Sequence, residues 1–351
     1  MPGVTSPTDA ERVLAARLAA QRLSGPPATG PLEVTRHLLA VQAQDARAAR
    51  LAIRARSADG HSSDVDRALS KERSLIITWV NRGTLHLVAA EDEAWLRAVT
   101  TPQLRTANDR RLHQEGVSQT AAERGVTAIR TALGDDGPLT RAELRTALDH
   151  ADVPTAGQAL VHLLLRATLD GLILRGPIID GEHAFVLATD WLGPRPTVER
   201  GPALAELARR YLTAHSPADD RDLARWAGLS LRDARAGLQA IAHRLHKRPD
   251  GLLELDRDPP PPIPPPRLLG PFDPLLLGWR SRNFILQDAQ EVVTSNGMFR
   301  AIVLIAGRAA GTWTLPRGHV QLNLWHPADP ASAAALEAEA AAVEHYLAPP
   351  A

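Results

Sequence analysis

The sequence predicts a mainly α-helical protein with short β additions: three similar units in series, then a separate C-terminal β module. Three observations predict it. Apolar residues recur at helical spacing in successive clusters, each followed by strand-like residues. An almost unbroken proline stretch, Asp258 to Pro266, follows the last cluster. Beyond it, short β-branched runs alternate with turn signals.

The first cluster opens at Ser6 to Thr8, which can cap a helix running to about Leu23. Ser24 to Gly30 is a Gly/Pro loop, and Pro31 opens a second helix with Val34, Leu38, Leu39 and Val41 apolar. Ala46 to Arg56 reads as a third helix and Asp64 to Leu69 as a short fourth. The period then changes. Leu75 to Val80 and Thr84 to Val88 read as strands around the turn Asn81-Arg82-Gly83. Helices followed by a hairpin is the order of a winged helix. Glu91 to Leu112 returns to helix.

The same order recurs. Ala121 to Leu133 is helical, Thr140 and Glu143 stand in capping-box spacing, and Gln158 to Leu169 occupies the recognition-helix position. Ile173-Leu174 and Ala184 to Leu187 are its wing strands. In the third unit, Ala203 to Ala214, Asp219 to Trp226 and Leu231 to Leu245 are helices and Leu252 to Leu255 a strand. A generic helical array satisfies the same periodicity. Asp258 to Pro266 reads as a stiff linker. Strands are expected at Phe284 to Leu286, Arg300 to Ile305, Gly311 to Leu315 and Val320 to Trp325, with a turn at Ser295-Asn296-Gly297 and Pro316-Arg317-Gly318 closing the last hairpin. Such spacing suits a small barrel or sheet. Ala331 to Leu347 is the closing helix.

The 351 residues carry a net charge of +0, and only Lys71 and Lys247 among the 40 basic residues are lysine. A neutral total does not favour a nucleic-acid ligand, but a patch on one face matters more than the sum. With no cysteine, disulfides, thiolate metal sites and a cysteine nucleophile are excluded. Met1 to Asp9 lacks the regions of a signal peptide, and no apolar run is long enough to span a bilayer. A soluble cytoplasmic protein is expected. There is no phosphate-binding Gly-rich loop, no G-x-S-x-G and no H-E-x-x-H, so nucleotide, metal and cofactor chemistry are not expected.

Three stretches carry candidate chemistry. Gln42 and Gln44 lie between two apolar runs, beside Asp45. Residues two apart on a helix point about 200° apart, so the two amides share a site only where the backbone leaves helical geometry. Carboxamides do not titrate, but they orient water or read base edges. A solvated helix end is the plainer reading. Trp79 to His86 crowds Arg82, Thr84 and His86 onto a hairpin; Arg82 and Thr84 suit phosphate and His86 a phosphate or a base, or else His86 is satisfied in the interior. In the stretch from Phe272-Asp273-Pro274 to Asn283, Arg280 and Arg282 flank Ser281 beside Trp279 as a phosphate clamp or an ordinary surface loop.

Taken together, Val41-Gln42-Ala43-Gln44-Asp45, the Trp79 to His86 hairpin, and Phe272-Asp273-Pro274 with Gly278 and Arg282 resemble the winged-helix DNA glycosylases of the AlkZ and YcaQ type, over almost the whole chain. The resemblance implies three tandem winged-helix motifs in a C-shaped arrangement plus a C-terminal β-barrel. Residues 1–118 would form the first winged helix with the Gln-x-Gln motif, 119–196 the second, 197–258 the third, and 259–351 the linker, barrel and terminal helix. It implies hydrolysis of the N-glycosidic bond of N7-alkylated purines, including bulky adducts or interstrand crosslinks of genotoxic natural products, as base excision repair or self-resistance. Gln42-Ala43-Gln44 matches the Gln–aliphatic–Gln signature, which makes Gln42 and Gln44 the implied catalytic pair. Asp45 either supports the sugar cation or caps the helix from Ala46. Trp79, Arg82, Thr84, His86, Arg280, Arg282 and Arg317 are the expected DNA contacts. The implied partner is duplex DNA bound by a monomer, with no metal, no cofactor and no membrane. A winged-helix DNA-binding regulator without catalysis is the competing reading.

Overall fold

A computed structural model describes residues 8–194, 197–255, 259, 262–286, 292–294 and 296–349. Ser6, part of the Asp258 to Pro266 stretch, and Ser295 of the expected turn lie outside them. The chain packs as two compact units, Met1–Val65 with Leu204–Ala351, and Asp66–Ala203.

The first unit begins with α1 (Asp9–Ala20), opened by a capping box in which Thr8 N–H donates to Glu11 Oε2 at 2.8 Å. Helix α2 (Pro31–Leu38), the extended segment β1 (Val41–Gln42) and α3 (Ala46–Arg54) follow, and the division between the units falls within α4 (Ser62–Ser70). The helix expected to include Val41 stops three residues earlier. Leu39 takes φ 68°, ψ −47°, which no helix interior accommodates, and its N–H closes the last turn on Thr35 O.

The second unit holds the hairpin β2 (Leu75–Val80) and β3 (Thr84–Ala89), α5 (Glu93–Thr100), α6 (Pro102–Gln114), α7 (Gln119–Asp136), α8 (Arg141–His150), α9 (Ala159–Leu169), β4 (Ile173–Ile179), β5 (Glu182–Leu187) and α10 (Ala188–Leu192). The run expected as one helix from Glu91 to Leu112 is two, because Pro102 has no N–H and restarts the helix at its N1 position. β2 and β3 pair in unbroken antiparallel register from Leu75↔Ala89 to Val80↔Thr84, and the strands of this unit run in the order β3-β2-β4-β5. Trp79, Leu133, Leu144, Leu163 and Phe185 belong to the core between sheet and helices.

The chain then re-enters the first unit with α11 (Arg200–His215), α12 (Asp220–Ala227), α13 (Leu231–Ala240), the pair β6 (Leu245–Lys247) and β7 (Leu253–Leu255), β8 (Arg267–Leu269), α14 (Pro274–Leu277), β9 (Ile302–Ile305), β10 (Arg308–Thr314), β11 (Gln321–Leu324) and α15 (Pro330–Leu347). Helix α13 ends at Ala240, five residues before the expected Leu245, with Ile241 as its C-cap at φ −109°, and Leu245 is drawn into pairing with Leu255. Phe284 to Leu286 is a turn rather than a strand: Ile285 and Leu286 N–H both donate to Arg282 O, at 2.9 and 2.8 Å. The expected barrel or sheet is, among the described residues, a four-stranded antiparallel sheet in the order β11-β10-β9-β8. Its core, with Val303, Trp313, Leu336 and Val343, also takes in Leu51 of α3. No described helix is long and apolar enough to cross a membrane.

Candidate active site

The segment from Leu39 to Asp45 is held from both sides. Before it, Leu39 ends α2 in the left-handed region. After it, Asp45 caps α3, its Oδ1 accepting from Arg47 N–H at 2.8 Å and Ala48 N–H at 3.0 Å. Helix α3 is anchored by its buried face of Ala48, Ala49, Leu51, Ala52 and Ile53. Gly270 permits that close packing, since a Cβ there would stand 2.9 Å from Leu51 Cβ.

Between these anchors the backbone is extended at Val41 and Gln42 and bends at Gln44 and Asp45. Burial alternates with period two: Val41 is buried, Gln42 half-buried, Ala43 buried and Gln44 exposed. Alternate residues of extended chain point to the same face. Val41 and Ala43 therefore anchor the segment, and of these four residues Gln42 and Gln44 are the two with appreciable solvent-accessible surface. Neither glutamine amide is hydrogen bonded to a described residue. Each amide thus keeps an accepting oxygen and two donating N–H groups for a ligand or water.

A buried ion pair secures the far end of α3. The Arg56 and Asp273 side chains are 0% exposed, with Nη2 to Oδ1 at 2.8 Å and Nη1 to Oδ2 at 2.9 Å. Arg56 Nε and Nη2 also donate to Gln21 O and Oε1, and Nη1 to Ala52 O. All five guanidinium N–H groups are thereby satisfied. Asp273, the aspartate of the Phe-Asp-Pro motif, also caps α14 by accepting from Leu275 N–H at 2.9 Å.

Other anticipated residues fall into two groups. Arg82, Arg280 and Arg317 are exposed. Trp79, Thr84, His86 and Arg282 are built into the fold. Trp79 is 8% exposed and packs in the core of its unit. His86 is buried, its ring N hydrogen bonds Thr84 O at 2.9 Å, and burial pushes its pKa down to about 4, so it is neutral at physiological pH. Thr84 Oγ1 is buried without a hydrogen-bond partner. Arg282 donates from Nε to Leu276 O at 2.7 Å and stacks 4.8 Å over Phe299.

Two buried polar residues have a burial that the sequence does not signal. Asn81, at φ 55° in the hairpin turn, is 1% exposed, and both polar atoms of its side chain lack partners. His215 stacks on Tyr211 at 4.6 Å, lies 5.3 Å from Trp279, and is held neutral by burial with a pKa near 3. Only the three-dimensional contacts distinguish these two from solvated side chains. Among the described residues, no group of three or more His, Asp or Glu is placed to hold a metal.

This arrangement is that of a fold in which a short extended segment presents two neutral amides beside a carboxylate committed to a helix cap. The family model described as DNA glycosylase AlkZ-like matches residues 35–346, and the chain belongs to that family. Among solved structures, Streptomyces sahachiroi DNA glycosylase AlkZ superposes with a TM-score of 0.78 at 24% identity, covering 97% of each chain. That likeness is one of fold. No curated protein sequence matches.

Proposed function

We propose that this DNA glycosylase hydrolyses the N-glycosidic bond of N7-alkylated purines in duplex DNA, with Gln42 and Gln44 positioning the attacking water. The observation that carries the reading is that Gln42 and Gln44, both unpartnered and both with accessible surface, flank buried Ala43 on a backbone that has left helical geometry. An N7-alkylated purine is cationic. The C1′–N9 bond breaks with its electron pair passing to the base, which leaves neutral and needs no proton from the enzyme. The sugar gains oxocarbenium character. A water held by the Gln42 and Gln44 side-chain oxygens adds to C1′, and its proton passes to solvent. Orientation and a polar lining are all the protein must supply.

Asp45 acts in this reading as the cap of α3, because Oδ1 is already committed to two backbone N–H groups. Arg82, Arg280 and Arg317 contact phosphates, while Trp79, Thr84, His86 and Arg282 shape the elements that carry them. The same reading assigns three winged helices at 1–118, 119–196 and 197–258 and a barrel module at 259–351. The chain acts as a cytoplasmic monomer, in repair or in self-resistance to an alkylating natural product, with bulky adducts and crosslinks within its range because Gln44 stands on an exposed face.

The test is direct. The protein is incubated with duplex DNA carrying 7-methylguanine or a natural-product adduct, and abasic sites are counted. Wild type forms them; Gln42→Ala and Gln44→Ala lose at least about 100-fold in rate, as when a reacting group is misplaced, and retain DNA binding. DNA binding without release from any such adduct would replace this reading with that of a non-catalytic regulator.

A further inference from the structure

From three converging arginines we infer a dedicated phosphate clamp beside the candidate catalytic segment: Arg47, Arg50 and Arg317 hold the DNA backbone within about three nucleotides of the base to be removed. The inference rests on the glycosylase reading and adds to it the site that fixes the reacting strand.

The three residues line one cleft of about 750 Å³ in the first unit. Two are on α3, and the third comes from the turn Pro316–Gly318 between β10 and β11, some 270 residues further along the chain. Arg47 and Arg317 are exposed, and neither side chain has a hydrogen bond or ion pair with a described residue. Arg50 is half-buried and donates from Nη1 to Ala46 O at 2.7 Å. The one carboxylate among the described residues lining the cleft, Glu344, is engaged elsewhere: Oε1 accepts from Val320 N–H at 2.7 Å and Oε2 lies 3.5 Å from His319 Nδ1. Asp45, just outside, is occupied in capping α3. Arg47 and Arg317 thus offer planar forked donors to an oxyanion, with Arg50 adding its charge to the same cleft.

The backbone adds a second observation. Arg317 sits at φ 53°, ψ 27°, between Pro316 and Gly318. A left-handed conformation is uncommon for an arginine, and the tight turn that imposes it sets the direction in which the side chain leaves the backbone. Here it holds one guanidinium on the same cleft as Arg47 and Arg50.

Position identifies the anion. Arg47 follows Gln44 by three residues, so their Cα atoms are at most roughly 11 Å apart. One strand carries a phosphate about every 3.4 Å along the helix axis. An anion held by Arg47 is therefore a close neighbour of the nucleotide that Gln44 addresses. The contact is the same before and after bond cleavage, so it lowers KM and leaves kcat unchanged.

The test uses the full chain and a short duplex with one 7-methylguanine. The variants are Arg47→Ala, Arg317→Asn (asparagine tolerates positive φ) and the double substitution. Each single variant is expected to weaken binding about fivefold and to reduce the slope of log K against log salt by about 0.9, the double by about 1.8. KM rises while the single-turnover rate at saturating enzyme stays within twofold. A scan with neutral methylphosphonate linkages, which needs no variant to fold, locates the contact. Neutral linkages within three nucleotides of the lesion weaken wild type and leave the double variant indifferent. If the double variant keeps the wild-type affinity and slope while base release proceeds, the clamp is wrong and the glycosylase reading stands. If wild type releases no base but the slopes change as stated, the clamp stands as a DNA contact and the glycosylase reading falls.

Discussion

Removing Asp273 tests how much the buried ion pair contributes to the unit that carries the candidate catalytic segment. In wild type, Arg56 and Asp273 are both 0% exposed and joined by two hydrogen bonds of 2.8 and 2.9 Å. Asp273→Ala leaves a buried guanidinium with only Gln21 and Ala52 as partners, both oriented to share it with a carboxylate. Breaking a buried pair on one side costs about 3–5 kcal/mol. Loss of the cap on Leu275 N–H adds about 1 kcal/mol. The sum, about 4–6 kcal/mol, is a large part of the roughly 5–15 kcal/mol that keeps a protein folded. Arg56→Met, which strands the carboxylate instead, costs a similar amount. Arg56→Met with Asp273→Leu costs less than either single change plus the other, because no uncompensated charge remains. Urea unfolding of the four proteins, with midpoints converted through a common slope, measures the coupling. A loss below about 1 kcal/mol for Asp273→Ala, or strictly additive losses in the double variant, would refute the reasoning.

Three further outcomes are expected. Asp45→Ala lowers stability by about 1 kcal/mol through the lost cap, and Asp45→Asn restores it; if Asn restores stability but not base release, the carboxylate has a chemical role. His86 and His215 are pushed by burial down to about 4 and about 3. Below pH 6.5 the unfolded chain binds protons the folded chain refuses, so stability falls as pH drops, by about 2 kcal/mol per histidine at pH 5, and is insensitive to these groups above pH 7. Equal urea midpoints at pH 7 and pH 5 would contradict this, and His86→Gln should flatten the dependence. Gly278→Ala drives a methyl group into the His215 ring, which is wedged between Tyr211 and Trp279. A drop of about 1–3 kcal/mol is expected, and an unchanged melting temperature would show that the ring can move.

Much of the local architecture was legible because its causes are local. Thr140 and Glu143 form the capping box their spacing announced, with Thr140 N–H donating to Glu143 Oε2 at 2.7 Å. Asn81-Arg82-Gly83 forms the hairpin turn, with Asn81 and Gly83 at positive φ. Gly228 ends α12 in the left-handed region. Where expectation failed, a neighbour in space outweighed periodicity. Leu245 kept the helical pattern of α13 and was taken by strand pairing with Leu255. For His86 the sequence left a DNA contact and an interior position both open; the structure buries it together with Trp79, since strand alternation gives the identity of a face and not what covers it.

The candidate site divides along the same line. Sequence by itself determined the residues available: two glutamines two apart, an aspartate able to cap the next helix, and arginine in place of lysine. It also set a condition, that Val41 to Asp45 leave the helix. Tertiary structure alone decided that the condition is met, through left-handed Leu39 and the alternating burial of Val41 and Ala43. It alone joined Arg56 to Asp273, which are 217 residues apart in the chain, and brought Arg317 to the cleft of Arg47 and Arg50. The reason is physical. Helix caps, turns and periodicity depend on a few consecutive residues. Burial, ion pairing and convergence depend on which surfaces of distant segments exclude water together, and no short window of sequence contains both partners.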